Sequence, residues 1–357
     1  MKKHSLLFLI FFALMTLAPI PVFYVFREQI GYKNTENKAV GDFPALSPQN
    51  YSTWPKRFEE WFSDTLPFKT QFIELYRGFQ FRSGLDYSQS DVIRGEEENL
   101  FYRKTVENYK GITRFTDAEL QTVENNLTGF FSWMEENGSR CLLYIAPDKE
   151  QVYGEYMPEW IRRISDESRA EQLTAYLAGR LEQPVLYPKA ALIELARDLP
   201  VYFNTDTHWN ELGGYFASEQ IRSAFTGGSA SFEHPAYHYY PEKGKDLAGM
   251  LGLSDVINEK NAVLIDFNDG IEIHKTETIE HGTVQRFVSD APSGKKLMII
   301  GDSFSEYVLR SAIHNVSEIL FVTYGDLYRI DPIAEAPDYV VVMLVERNLP
   351  FLLNGLY

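Results

Sequence analysis

The sequence has a single cysteine, Cys141, set in the apolar run Cys141-Leu-Leu-Tyr-Ile-Ala146. One thiol cannot build a disulfide framework, and a thiolate zinc site is excluded with it. Its apolar surroundings predict a packed core residue. The seven histidines show no His-Glu-x-x-His pattern or comparable ligand spacing, so neither a metal nor a cofactor is expected. Positive charge is also scarce: 34 basic residues stand against 50 acidic ones, the net charge is −16, and no basic cluster exceeds a pair. Such a surface repels polyanions, which argues against nucleic acid as a partner and mildly disfavours a strongly anionic glycan. No internal repeat is present.

A long uncharged run, Ser5 to Phe26, follows Met1-Lys2-Lys3-His4. Its length matches the roughly 20 residues a helix needs to cross a hydrocarbon core of about 30 Å. Pro19 and Pro21 interrupt its second half, and no clear small-x-small cleavage site follows. Lys2 and Lys3 would stay cytoplasmic and send the rest of the chain outward. Residues 1–26 are therefore expected to form an uncleaved signal anchor, a single-pass transmembrane helix in the cytoplasmic membrane, with a cleaved signal peptide as the alternative. Either way the working domain is expected to be periplasmic or extracellular. Residues 27–50 are polar, contain Gly31, Gly41 and Pro44, and read as a tether. Residues 51–357 are expected to form the working domain, and a composition of 45% hydrophobic and 24% charged residues supports a packed core there rather than disorder.

Trp54, Phe58, Trp61 and Phe62, then Phe68, Phe72, Leu75 and Tyr76, keep helical spacing and predict helices that pack on the main domain. Thr116-Asp-Ala-Glu119 is a capping-box signal for a helix with Leu120, Val123, Leu127, Phe130, Phe131 and Met134 on one face, ending near Gly138. Cys141 to Ala146 reads as a buried strand. A helix over 166–181, a strand near Val185, a helix over 189–197 and a short strand Val201-Tyr-Phe203 follow. Alternating strands and helices argue for an α/β fold with a parallel sheet covered on both faces. The pattern changes over about 226–293, which is expected to be an insertion bordering the site. The fold then resumes at Leu297.

Two stretches carry chemistry. In Lys296-Leu-Met-Ile-Ile-Gly-Asp-Ser-Phe-Ser305, a buried strand, a tight turn and a helix start would place Ser303 at a strand's carboxyl end, the edge where open α/β sheets tend to put their sites. In Asn204-Thr-Asp206-Thr-His208-Trp-Asn210, a carboxylate and an imidazole lie two residues apart before another helical pattern. Each alone is consistent with a turn or a helix cap; together, at two inferred strand-to-helix junctions, they favour a catalytic set. A serine hydroxyl needs a base to take its proton. Histidine suits that role, and a carboxylate on its other nitrogen fixes the tautomer. Ser303 is expected to be the nucleophile, His208 the base and then acid, and Asp206 the orienter. The Ser303 N–H is the natural first oxyanion donor. Arg347 and Asn348 are candidates for the second by position, or else make a strand-end salt bridge or cap. Lys149 and Tyr153 are weaker candidates at the same edge. Asp302 is expected to brace the turn and Trp209 to pack.

The pairing of Asp206-Thr-His208-Trp209 with a later Gly301-Asp302-Ser303-Phe304 resembles the alginate O-acetyltransferase (AlgJ/AlgX-like) family of the SGNH hydrolase-like superfamily. Further similar stretches are Phe58-Glu-Glu-Trp-Phe-Ser-Asp64, Asp91-Val-Ile-Arg-Gly95, Ala146-Pro-Asp-Lys149, Asp246-Leu-Ala-Gly-Met-Leu-Gly252 and Glu346-Arg-Asn348, in family order from about Tyr51 onward. Relative to ordinary SGNH esterases the order is permuted, with the serine block last. The resemblance implies a three-layer α/β/α sandwich with a mainly parallel sheet. It also implies O-acetyl transfer through an acyl-serine to an exported polysaccharide, and a membrane-bound O-acyltransferase partner that supplies acetyl. The triad alone also fits an esterase or deacetylase, or a non-catalytic polysaccharide-assembly factor.

Overall fold

The computed structural model describes residues 3–17, 25, 43–65, 69–83, 90–228, 234–279 and 283–356. The chain divides into two compact units, Met1–Asp86 and Tyr87–Tyr357. In the first, the leading helix covers Lys3–Leu17. At 1.5 Å per residue that is about 22 Å, short of a bilayer core. Among the described residues no helix is long and apolar enough to cross a membrane, so the expected anchor is not borne out as a spanning helix. Pro19, Pro21 and most of the expected tether lie outside the described residues. The helix Trp54–Thr65 stacks Trp54 on Phe58 at 4.9 Å and Phe58 on Phe62 at 5.9 Å, one turn apart.

The second unit is built on a seven-stranded sheet. Its strands in chain order are β1 (Arg140–Ala146), β2 (Val185–Leu186), β3 (Ile273–Ile279), β4 (Val284–Ser289), β5 (Lys296–Gly301), β6 (Glu318–Thr323) and β7 (Tyr339–Val345). They lie in the order β2-β1-β7-β5-β6-β4-β3. The five strands from β2 to β6 are parallel, while β4 pairs antiparallel with β6 and with β3. The sheet is therefore mixed, and part of the stretch 226–293 extends it at one edge.

Strand alternation sorts the core into two layers. Leu297, Ile299, Val341 and Met343 face one side with Leu212, Phe216, Ile221, Val308 and Leu309. Met298, Ile300, Val340 and Val342 face the other with Leu120, Val123, Leu127, Phe130 and Leu173. Helices α1 (Asp117–Glu136) and α2 (Arg169–Leu177) cover the second side, and α3 (Glu211–Thr226) and α4 (Ser305–Ala312) the first. Helix α1 starts on the expected capping box, with Glu119 N–H on Thr116 Oγ1 and Thr116 N–H on Glu119. Helix α2 is shorter than the expected 166–181: Ser168 and Glu171 form a second capping box that sets its start, and it ends at Leu177, where Ala178 leaves helical geometry before Gly179 at a φ of 74°.

The expected strand over 201–203 does not form. Tyr202 makes one bridge, to Trp209. The Val201 and Tyr202 N–H groups instead share the buried Tyr153 hydroxyl, at 3.0 and 3.3 Å, so the segment joins no sheet.

Candidate active site

Ser303 follows β5 by two residues and precedes α4 by two. Asp302 shapes this turn. One of its carboxylate oxygens accepts from Phe304 N–H at 3.0 Å. The other accepts from Val345 N–H and from Asn348 Nδ2, each at 2.8 Å, which ties the serine turn to the end of β7. A close helix crossing also sets the position. A Cβ at Gly214 of α3 would stand 2.5 Å from the Tyr307 carbonyl of α4, so glycine lets the two helices meet there.

Asp206 and His208 sit in a tight loop closed by Phe203 N–H on the His208 carbonyl (3.2 Å) and Asn210 N–H on the Val201 carbonyl (3.1 Å). Asn210 then caps α3, its side chain accepting from Leu212 and Gly213 N–H. The loop's base is held by buried Glu259, which accepts from the N–H groups of Asn204, Thr205 and Asn261 at 2.9 Å each and from the Thr205 hydroxyl. The start of the short helix Asp246–Met250 adds Leu247 and Ala248 N–H on the Thr205 carbonyl. Sequence reasoning missed Glu259, which lies on a two-residue strand with no motif around it.

The two segments meet. His208 Nδ1 is 2.8 Å from Asp206 Oδ1, and His208 Nε2 is 2.8 Å from Ser303 Oγ. Trp209 Nε1 donates to the Phe304 carbonyl at 2.9 Å, and the His208 and Phe304 rings are 4.8 Å apart. Burial works to raise the Asp206 carboxyl, but hydrogen bonds from His208 and from the His208 and Thr207 N–H groups, with the imidazole's charge, hold it below the usual aspartate range. The Ser303 N–H has no hydrogen-bond partner among the described residues, which leaves it free to receive an oxyanion.

The other candidates each have partners in the fold. Arg347 pairs with Asp148 at 2.6 Å, reaches Thr207 Oγ1 at 3.3 Å and lies over the Phe304 ring. Asn348 donates one of its two amide N–H groups to Asp302 at 2.8 Å. Lys149 is buried, its ammonium donating to the Leu100 and Asn204 carbonyls at 2.9 Å each; burial pulls it down to about 7. Tyr153, pushed up to about 12 by burial, holds the Val201 and Tyr202 N–H groups. Arg347, Asn348, Lys149 and Tyr153 thus prop the Asp206–His208 loop and the serine turn.

A cavity of about 700 Å³ opens on Ser303, lined by β3, β4, β6 and α4. Among the described residues, Glu272, His274 and Asp290 come within reach of one another, but all three are exposed and no other observation marks them as a metal site.

The family model for the SGNH hydrolase-like domain of acetyltransferase AlgX matches residues 92–313. The chain is 22% identical over 324 residues to a probable alginate O-acetylase AlgJ of Pseudomonas syringae pv. tomato, covering 83% of this chain and 78% of that one. Among solved structures, Bacillus cereus PatB1 with a sulfonyl adduct matches with a TM-score of 0.54 at 13% identity, over 74% of this chain and 99% of that one. The O-acetyltransferase domain of Pseudomonas putida AlgJ matches with a TM-score of 0.48 at 21% identity, over 72% and 92%. The family match spans more than half of the chain and includes both Asp206–His208 and Ser303, and the chain belongs to the SGNH hydrolase-like domain family of acetyltransferase AlgX.

Proposed function

We propose that this protein is an O-acetyltransferase that moves acetyl through an acyl-serine onto hydroxyls of an exported polysaccharide. One observation carries the reading: the unbroken relay from Asp206 through His208 to Ser303, with 2.8 Å at each step. The family and the probable alginate O-acetylase among its relatives support the reaction class.

In this mechanism Ser303 Oγ attacks the acetyl carbonyl while His208 Nε2 takes its proton. Asp206, held ionised, keeps the Nδ1–H tautomer and stabilises the imidazolium. The Ser303 N–H receives the developing oxyanion, a contribution of roughly 10²–10³-fold for one such donor. His208 then returns the proton to the leaving group. In the second half a glycan hydroxyl, deprotonated by His208, attacks the acetyl-serine ester, and His208 gives that proton to Ser303 Oγ as the ester bond breaks and the acetylated glycan leaves. Water at about 55 M competes, but an oriented acceptor can reach an effective molarity of about 10⁵ M or more.

The working domain is taken as extracytoplasmic, tethered by the leading uncharged segment and supplied with acetyl by a membrane-bound O-acyltransferase. Lys2 and Lys3 and the family resemblance support that arrangement. The test supplies the purified full-length chain with an activated acetyl ester and a panel of oligosaccharides, and reads acetylated sugar by mass spectrometry. Acceptor-dependent acetylation lost in Ser303→Ala is expected. Free acetate formed with no dependence on any acceptor would make the protein an esterase. Cellular function that survives Ser303→Ala would make it an assembly factor.

A further inference from the structure

The cleft beside Ser303 encloses about 700 Å³, far more than an acetyl group fills and within the size range of small-molecule sites. We propose that it is an acyl-chain site, and that Ser303 accepts longer unbranched acyl groups, such as hexanoyl, as well as acetyl. This rests on the acyl-serine of the proposed function, though not on whether a glycan or water finally receives the acyl group.

The side of Ser303 on which the cleft lies decides which part of the substrate it holds. In the sheet, β5 runs between β7 and β6. The loop that carries His208 is held from the β7 side. Arg347, two residues past β7, reaches Thr207 Oγ1 at 3.3 Å, and Lys149, three residues past β1, donates to the Asn204 carbonyl at 2.9 Å. The cleft is lined by β6, β4 and β3, on the other side of β5, and His208 is not one of its lining residues. Proton transfer in both half-reactions runs through His208 Nε2, which keeps the leaving group and the incoming hydroxyl on the His208 side. The substituent on the acyl carbon exchanges no proton and can lie on the other.

The lining is graded along the cleft. Thr323 pairs with Gly301 and so marks the serine end. Phe321 lies two residues back along β6, opposite Gln285, and Phe287 is two residues further along β4. At about 3.3 Å per residue, these steps run roughly 13 Å from the serine end. On the helix side Leu309 and Ile313 follow one another a turn apart, and Ile273 of the edge strand stands at the far end. Leu309, Ile313 and Phe321 are buried and form an apolar floor. The charged groups lie outside it. Arg310 donates to Glu306 at 2.8 Å and to Glu211 at 2.9 Å, and the Lys275 ammonium is 5.7 Å over the Phe287 ring. Glu306, Arg310 and Lys275 are all exposed, so their charges stay in water when an alkyl chain lies on the floor.

The chemistry is that of acetyl with a longer tail. The bond from Ser303 Oγ to the acyl carbon forms, the bond to the leaving oxygen breaks, and the serine proton passes through His208 to that oxygen. Each methylene that moves from water onto the floor stabilises the transition state relative to free ester.

The experiment takes the full-length wild-type chain through the p-nitrophenyl esters of acetate, butyrate, hexanoate and octanoate, which share one leaving group, and subtracts the rate of Ser303→Ala for each. A kcat/KM about ten-fold or more higher for hexanoate than for acetate is expected, equivalent to about 1.4 kcal/mol. Mass spectrometry is expected to find hexanoyl on the Ser303 peptide. In Phe287→Ser the ratio of hexanoate to acetate is expected to fall about ten-fold. Ile273→Ser, at an exposed position on the edge strand, is expected to lower the same ratio with little cost to the core. A kcat/KM that falls steadily from acetate onward, or a ratio unchanged in both variants, would overturn the proposal. Acetyl but no longer acyl group on Ser303 would also overturn it, leaving the acyl-serine intact, whereas no acyl group on Ser303 from any ester would remove both.

Discussion

The indole N–H of Trp209 donates to the carbonyl of Phe304 at 2.9 Å, joining the loop that carries His208 to the turn that carries Ser303. The two residues are 95 positions apart in the chain and both fully buried. It lies beside the 2.8 Å contact between His208 and Ser303, the other link between the same two segments.

Trp209→Phe keeps the ring but leaves the Phe304 carbonyl without its partner. An unmet buried acceptor costs about 1–3 kcal/mol, and the catalytic segments lose a fixed point. A lower Tm is expected together with a fall in kcat larger than the change in KM, because the alignment matters most in the reacting geometry. Thermal unfolding and steady-state kinetics on an activated acetyl ester check this. A kcat equal to wild type would show that the alignment is set elsewhere.

Gly214→Ala would place a methyl group 2.5 Å from the Tyr307 carbonyl and drive α4 away from α3. Overpacking of this kind costs typically about 1–3 kcal/mol. Because Ser303 lies just before α4, activity is expected to fall further than stability alone explains, since a displacement of about 1 Å can cost about 100-fold. Denaturant titration and kinetics on the same preparation separate the two effects.

Lys149 gives a pH signature. Its folded-state pKa is pulled down to about 7 by burial, against about 10.4 in an unfolded chain. Between these values the unfolded state binds more protons, so the Lys149 contribution to stability rises with pH from about 7 to about 10. Below pH 7 the ammonium is charged in both states and its burial penalty is borne in full. Lys149→Met removes this slope and takes the ammonium donor from the Leu100 and Asn204 carbonyls, of which Asn204 still accepts from the Leu100 N–H. Its stability deficit is expected to widen as pH rises through that window, measured by urea titration at several pH values.

What the sequence disclosed was local or periodic. The Thr116–Glu119 capping box, the buried apolar strand before Gly301 and the helical face of α1 are written in residues close together, and all three are present. The serine and Asp–His segments were legible because each chemistry needs its residue types at short spacing. What was not legible depends on tertiary partners. The sequence Ile273–Ile279 alternates little and is rich in polar residues, so its place as an edge strand bordering the cleft comes only from pairing with β4. Glu259 becomes a clamp only when Asn204, Thr205 and Asn261 converge on it. Lys149 and Asn348 carry donors that could serve an oxyanion, and only the fold determines that these donors go to backbone carbonyls and to Asp302.

The most direct test of the relay is to incubate the full-length chain with an activated acetyl ester, quench it early and map acetylated peptides by mass spectrometry, wild type beside His208→Ala. Acetyl on Ser303 is expected in the wild type, with formation slowed in His208→Ala by about 10²–10⁴-fold, the usual worth of base catalysis. Acetylation of Ser303 at the same rate in both proteins, or acetyl found only on other residues, would contradict it.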